Sequence, residues 1–130
     1  MSLVFTNGCF DILHRGHVEL LKFCKGDGNT VFVGINSDTS VKRLKGADRP
    51  VNNQDDRKFM LESLKYVDKV FIFEDDTPYD LISRIKPDFI VKGSDYNKED
   101  VVGSDVCEVL IFENVEGYST TRAIQNIGNR

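Results

Sequence analysis

The chain has 130 residues, 40% hydrophobic and 29% charged, with a formal net charge of −4. This ordinary composition disfavours a disordered or collagen-like chain, and we expect residues 1–130 to form a single domain. The acidic balance disfavours a general nucleic-acid binder, and no stretch is apolar for long enough to cross a membrane. Three cysteines without a Cys-x-x-Cys pair are typical of reduced thiols. We therefore expect a cytoplasmic protein with neither nucleic-acid nor membrane partners.

Short apolar runs rich in Val, Ile and Phe alternate with amphipathic segments along the chain. The runs are Leu3–Thr6, Val31–Ile35, Val70–Phe73, Phe89–Val91 and Val109–Phe112. Continuous apolar runs of this length are typical of strands buried on both faces, and helices between them build βαβ units. The sequence therefore predicts an α/β fold with a parallel sheet.

The first helix is predicted directly after the first strand. His17, Leu20, Leu21 and Cys24 follow the i, i+3, i+4, i+7 spacing of an inward helical face. Gly26–Asn29 then forms a turn that ends the helix.

Three more helices follow from their apolar faces and caps. One covers Asp55–Lys65, with Met60 on its apolar side. The next begins at the cap Thr77-Pro78, with proline as its first residue, and ends at Lys86-Pro87. Ser119 caps the last helix.

Two stretches have no packing pattern and are predicted as loops. They are Asn36–Asn53, which is polar, and Lys92–Ser104. Both follow the carboxyl ends of predicted strands, where open α/β sheets bind ligands, and long loops in small domains are often functional.

The segment Gly8–His17 is the most informative part of the sequence. It leads from a strand through a tight loop into a helix, and it carries the only two histidines of the chain, His14 and His17, on either side of Gly16. Helix N-termini at such loops favour anions, and two N–H donors converging on a phosphoryl oxygen stabilise charge at a five-coordinate phosphorus. The alternative is one turn-capping and one half-buried structural histidine; we favour the functional interpretation.

The other residues of this segment leave alternatives open. Gly8 and Gly16 let the backbone approach a phosphate, or are ordinary turn glycines. Asp11 caps the loop, holds a divalent cation or lies at the attacking group. Cys9 is a small residue that fits, or a reactive thiol.

Two further groups are candidates for phosphate binding. Lys42 and Lys45, with Gly46 as a flexible neighbour, are either solvated lysines or a mobile clamp on the triphosphate and the acceptor phosphate. Ser119–Thr121 is either a plain helix cap or a second phosphate cradle at a helix N-terminus.

Gly8–His17 and Ser119–Thr121 resemble the two signatures of the cytidylyltransferase-like nucleotidyltransferases. Nearly the whole chain is similar to the bacterial heptose 1-phosphate adenylyltransferases within that family; the similar segments are Asn36–Asp38, Arg43–Gly46, Arg49–Asn52, Asp76–Pro78 and Val91–Tyr96. Glycerol-3-phosphate cytidylyltransferases are the next relatives. Tyr66–Asp68 is similar to one of their motifs, but Lys65 and Asn114 stand where they carry arginine.

The resemblance implies a Rossmann-like, doubly wound, five-stranded parallel sheet and an in-line displacement. A sugar 1-phosphate attacks the α-phosphorus of ATP, which is accompanied by Mg²⁺, and the product serves cell-surface lipopolysaccharide synthesis. The implied partners are a nucleoside triphosphate and a sugar or polyol phosphate, and homodimers are common for domains of this size. The alternatives are a CTP-dependent enzyme that makes CDP-glycerol, and a nucleotide-binding module without turnover.

The resemblance also implies a role for each matching residue. The catalytic residues are His14, His17 and Lys45. Asp11 and Asp38 lie near the acceptor, and no resident metal site is implied. The nucleotide and phosphate ligands are Gly8, Cys9, Phe10, Gly16, Lys42, Lys92, Gly93, Asp95, Ser119 and Thr120.

Overall fold

The computed structural model describes residues 1–113. Five strands form one parallel sheet in the order β3-β2-β1-β4-β5. They are β1 (Leu3–Gly8), β2 (Thr30–Asn36), β3 (Lys69–Phe73), β4 (Phe89–Gly93) and β5 (Glu108–Phe112). All five predicted strands are confirmed, each slightly longer than its apolar core.

Four helices and one short 3₁₀ turn connect the strands. They are α1 (Arg15–Lys25), α2 (Asp38–Lys45), α3 (Gln54–Glu62) and α4 (Tyr79–Ile85), with the 3₁₀ turn at Lys98–Asp100. Within residues 1–113, no helix has the length and apolar character needed to cross a bilayer.

Helices cover both faces of the sheet, which confirms the doubly wound arrangement. On one face, Leu21 of α1 and Leu61 of α3 pack into the same apolar cluster as Val4 of β1. On the other face, Ile82 of α4 packs with Phe5. Adjacent side chains of a strand point to opposite faces, so β1 contributes to both clusters.

The predicted loop Asn36–Asn53 is wrong over its first half, because residues 38–45 form α2. Ser37 caps this helix: its side chain accepts a hydrogen bond from the Ser40 N–H at 3.1 Å. Val41 is its one fully buried apolar side chain. Two apolar residues in eight, Val41 and the exposed Leu44, are too few to define an apolar helical face in the sequence, which is why this helix was not predicted.

Two predictions for α3 are wrong: the length of the helix and the place of Met60 on its buried side. The helix spans Gln54–Glu62 rather than Asp55–Lys65. Met60 is 53% exposed, whereas Arg57 is 1% exposed and lies one helical turn before the buried Leu61. A charged residue therefore occupies the inward position of the first turn.

The helix boundaries around α1 and α4 follow the predictions closely. Gly26 ends α1, as expected. Pro78 is the N-cap of α4 rather than its first residue, and Lys86, with φ 53°, ends that helix before Pro87. The helix predicted from Ser119 lies outside the described residues.

The stretch Lys92–Ser104 is better packed than its sequence suggests. Val101 is 4% exposed and joins the cluster around Ile82. Gly103 has φ +96°, and a Cβ there would lie 2.7 Å from Cδ1 of Ile90, so both the backbone conformation and the space require glycine.

Candidate active site

Strands β1 and β4 are neighbours at the centre of the sheet. The chain winds outward from β1 through β2 to β3, then crosses to β4 and β5, so β1 and β4 meet at the topological switch point. Backbone pairing between them comprises Val4 with Phe89 and Phe5 with Ile90. Open α/β sheets bind ligands at this point.

Side chains bridge β1 and β4 beyond these pairs. The Thr6 hydroxyl donates to the Val91 carbonyl at 2.8 Å, and the Lys92 ammonium donates to the Asn7 carbonyl at 3.0 Å. The switch point between β1 and β4 is therefore bridged by side chains, and Lys92 is one of them.

The loop after β1 bends sharply at Phe10. Phe10 is 7% exposed and has φ 49°, a left-handed conformation that is uncommon for a bulky residue and is found most often at functional loops. Its ring packs against Gly8, where a Cβ would lie 3.2 Å from Cε2 of Phe10. Gly8 thus makes room for the ring, and the centroid of that ring lies 4.9 Å from the centroid of His17.

The two histidines form a stacked pair at the start of α1. Their ring centroids are 3.8 Å apart, with an interplanar angle of 22°. The His14 backbone N–H donates to Nδ1 of His17 at 3.3 Å, and the His17 backbone N–H donates to the His14 carbonyl at 3.1 Å. Because Nδ1 of His17 accepts a hydrogen bond, its neutral ring carries the proton on Nε2.

Both imidazoles are held in the neutral form. Burial, and next the proximity of His14, lower the pKa of His17 to about 3. Burial also lowers the pKa of His14. A neutral imidazole supplies an N–H donor whose charge does not change across physiological pH. The pair is thus suited to hydrogen-bond donation rather than to proton transfer near pH 7.

Asp11 ties the loop after β1 to the segment before α3. Its carboxylate accepts from the backbone N–H of Val51 and of Asn52, each at 2.8 Å, and the Asn52 side-chain amide donates to the Asp11 carbonyl at 2.7 Å. Each carboxylate oxygen therefore has a backbone partner. This agrees with the alternative in which Asp11 caps the loop.

Cys9 is a half-buried thiol in the same loop. Its Sγ lies 3.7 Å from Oδ1 of Asn36, toward which the thiol donates. Burial raises the pKa of Cys9, although the positive charges of Lys45 and Arg57 oppose that rise. This environment favours a protonated thiol, which agrees with Cys9 as a small packing residue rather than a reactive thiol.

Helix α2 presents its basic side chains in its last turn. Lys42 and Lys45 are exposed. Arg43 instead turns toward the loop after β3, where its guanidinium lies 3.0 Å from Asp76. The positive charge of Lys45 acts to lower the pKa of Cys9, in the loop after β1, against the effect of burial.

Three of the predicted nucleotide ligands, Lys92, Gly93 and Asp95, lie at or just beyond the carboxyl end of β4. The Lys92 ammonium lies 4.6 Å from the centre of the Tyr96 ring, and burial lowers its pKa to about 8. Gly93, the last residue of β4, is buried, whereas Asp95 is exposed. The structure thus places Lys92 and the loop after β1 at the same edge of the sheet.

Arg57 is a site-adjacent residue that the sequence analysis missed. Its side chain is 0% exposed, and its guanidinium lies 2.9 Å from Oδ1 of Asp38. Asp38 and Lys42 also line an open cavity of about 270 Å³ beside the segment 50–53. The available signal was the spacing of Arg57 to Leu61, which places both on one helical face.

Other predicted residues fall outside this description. Ser119 and Thr120 lie beyond residues 1–113. Among the residues that are described, no group of three His, Cys, Asp or Glu side chains is arranged to hold a metal ion.

A parallel sheet with a switch point, and a helix that begins directly after its central strand, is typical of nucleotide-binding α/β proteins. The sequence model of the family described as "Cytidylyltransferase-like" matches residues 5–126. The chain therefore belongs to the cytidylyltransferase-like family, which confirms the resemblance found in its motifs.

Individual relatives agree with this assignment. The chain is 57% identical over 126 residues to the bifunctional protein HldE of a Nitratiruptor species, covering 96% of this chain. It is 54% identical over 127 residues to the bifunctional protein HldE of Aliarcobacter butzleri, covering 97% of this chain. In both cases the chain spans 27% of the length of the relative.

Solved structures show the same fold. The lipopolysaccharide core biosynthesis protein from Thermoplasma volcanium has a TM-score of 0.77 at 23% identity, covering 89% of this chain and 99% of that one. A bifunctional NMN adenylyltransferase/ADP ribose pyrophosphatase from Francisella tularensis has a TM-score of 0.65 at 18% identity, covering 98% of this chain and 42% of the other.

Proposed function

We propose that this chain transfers AMP from ATP to a sugar 1-phosphate, specifically heptose 1-phosphate, and releases pyrophosphate. The observation that carries the proposal is the stacked, neutral pair His14 and His17 at the start of α1, the helix that follows the central strand β1. The 57% identity to a bifunctional HldE protein supports it, as do the segments similar to heptose 1-phosphate adenylyltransferases. The reaction would take place in the cytoplasm, and its product would serve the synthesis of cell-surface lipopolysaccharide.

The reaction is an in-line displacement at phosphorus. A phosphate oxygen of the sugar 1-phosphate forms a bond to the α-phosphorus of ATP. The bond from the α-phosphorus to the bridging oxygen breaks, and pyrophosphate leaves with the electron pair. Nε2–H of His17 and an N–H of His14 donate to the α-phosphoryl oxygens, which gain charge in the transition state. Neither ring acts as a nucleophile.

The remaining site residues bind and orient the substrates. Lys45 and Lys42 hold phosphate groups, and Asp38 lies near the acceptor. The loop after β1 supplies backbone contacts, and Asp11 acts by fixing that loop. The proposed nucleotide ligands are Gly8, Cys9, Phe10, Gly16, Lys92, Gly93 and Asp95, with Ser119 and Thr120 on the β- and γ-phosphates.

Mg²⁺ would enter with the triphosphate rather than sit in a resident protein site. Both carboxylate oxygens of Asp11 already accept backbone hydrogen bonds, so this acid is poorly placed to hold an ion. Magnesium commonly keeps several waters and binds through substrate phosphates. When bound there, it would neutralise charge on the β- and γ-phosphates.

A substrate panel tests the proposal. ATP and CTP are each combined with heptose 1-phosphate, other sugar 1-phosphates and glycerol 3-phosphate, and pyrophosphate release is measured. We expect ATP with heptose 1-phosphate to give the highest turnover. CTP with glycerol 3-phosphate would instead support the second candidate, which the motif Tyr66–Asp68 favours. Nucleotide binding without pyrophosphate from any pair would indicate a binding module.

A further inference from the structure

Arg57 makes an unusually complete set of buried hydrogen bonds. Its side chain is 0% exposed. Nε donates to the Asn52 carbonyl at 3.0 Å, Nη1 donates to the carbonyls of Cys9 at 2.9 Å and Asn36 at 2.8 Å, and Nη2 donates to Asp38 at 2.9 Å. A buried arginine is costly unless its donors find acceptors, and here four bonds hold it.

The acceptors belong to separate segments that meet at the carboxyl edge of the sheet. Cys9 directly follows β1, and Asn36 is the last residue of β2, just beyond the final paired residues Gly8 and Ile35. Asp38 lies in the first turn of α2. Arg57 therefore continues the connection between β1 and β2 past the point where backbone pairing stops.

A second set of bonds holds the same loop from the same side. Asn52, whose carbonyl accepts from Arg57, also donates its backbone N–H and its side-chain amide to Asp11. The loop after β1 is thus fixed at Cys9 and at Asp11 by residues at the start of α3. The segment between Asp11 and α1 ends at His14, and His17 follows in the first turn of α1.

We propose that Arg57 is a positioning residue that sets the histidine pair of α1 and the lysines of α2 relative to each other. It does not touch substrate: it acts through the Cys9 carbonyl on the loop that leads to His14 and into α1, and through Asp38 on the helix that carries Lys45. This inference rests on the proposed function, because it concerns where the reacting groups are held.

The chemistry of the side chain explains why arginine occupies this position. The guanidinium is planar and presents five N–H donors in fixed directions, so it can meet acceptors from several segments at once. A lysine keeps the charge opposite Asp38 but offers one donor point on a flexible stem. The substitution Arg57→Lys therefore keeps the positive charge and removes the planar arrangement of donors.

The test compares Arg57→Lys with Leu61→Ala in the whole chain. Leu61 lies one turn further along α3, is 0% exposed and packs in the apolar cluster rather than against the loop after β1. Each variant is assayed for kcat and KM well below its unfolding temperature. Hydrogen–deuterium exchange is followed over residues 9–17 and 36–45.

We expect Arg57→Lys to lower kcat by about tenfold or more, with a smaller change in KM, and to raise exchange over residues 9–17. Leu61→Ala should be less stable but keep kcat within about twofold and leave exchange over residues 9–17 unchanged. Equal effects of the two variants on kcat and on this exchange would overturn the proposal.

Two further outcomes have to be distinguished: an inactive wild-type chain, and an Arg57→Lys variant that does not fold. If the wild-type chain releases no pyrophosphate with any substrate pair, the proposed function fails, and the exchange comparison still decides whether Arg57 holds the loop. If Arg57→Lys does not fold, Asp38→Asn replaces it, since it weakens only the Nη2 bond. Because Asp38 itself lies near the acceptor, exchange rather than kcat decides this arm: raised exchange over 36–45 supports the proposal, and wild-type exchange there contradicts it.

Discussion

The ring of His17 is fixed by its own loop, with Nδ1 held by the His14 N–H and one face against the His14 ring. We expect His17→Ala to lower kcat by about 10²–10³-fold while the fold is kept, because removing one donor to a transition-state oxyanion typically costs this much. Arg15→Ala is the matched control. Arg15 is exposed, pairs with Glu19 and should leave turnover within about twofold. Near-normal turnover of His17→Ala with the correct substrates would remove it from the mechanism.

Lys45 is exposed at the end of α2, so its side chain contributes little to the core. Lys45→Ala is expected to raise the KM for the triphosphate by about tenfold, since one charge-assisted phosphate contact is lost, with little change in the urea midpoint. Steady-state kinetics with varied ATP measure this. Lys22→Ala, at an exposed position of α1, provides the control for loss of one positive charge. Identical kinetics of the two variants would show that Lys45 lies outside the site.

At the level of elements, Asp68 joins β2 to the start of β3. Its carboxylate accepts from the Val31 N–H at 2.7 Å and from the Lys25 ammonium at 2.9 Å. Asp68→Ala leaves the Val31 N–H without this acceptor, and we expect a loss of about 1–3 kcal/mol in the free energy of unfolding. Lys25→Ala removes only the exposed ion pair and should cost at most about 1 kcal/mol. Chemical denaturation of both variants checks the order, and a larger loss for Lys25→Ala would contradict it.

The sequence predicted the elements whose hydrophobic pattern is strong. The five strands were found because each is a run of Val, Ile, Phe and Leu, interrupted only by Gly34 and followed in one case by Thr6. Helix α2 was missed because Val41 is its one fully buried apolar residue, although Ser37 carried a helix-capping signal. Met60 was misplaced because periodicity counts apolar residues and cannot recognise an inward arginine.

The candidate site was predictable only in part, for a related reason. His14 and His17 form a local motif, so their spacing alone indicated a shared role. Arg57 acquires its role from acceptors that are distant in sequence, such as the Cys9 carbonyl 48 residues away. No local pattern encodes such a partnership, since it depends on which strand ends the topology brings together.

For the whole molecule, the buried neutral His17 links stability to pH. Its pKa is about 3 in the folded chain and 6.5 ordinarily. Between these values the unfolded chain binds more protons, so stability rises with pH across that window and is lost as pH falls from about 6.5. The slope from one such group is at most about 1.4 kcal/mol per pH unit. Urea unfolding between pH 4.5 and 7 should therefore give a flatter dependence for His17→Gln than for the wild type. Parallel curves would show that His17 titrates normally.

Strand β1 has a consequence for any attempt to redesign this protein. Val4 and Phe5 are neighbours in sequence, yet one is packed by α1 and α3 and the other by α4. The loop that leads to the histidines continues directly from β1. Its position therefore depends on the packing of β1 against both helical layers. Core substitutions in either layer, made to raise thermostability, would therefore shift the strand that positions the candidate site.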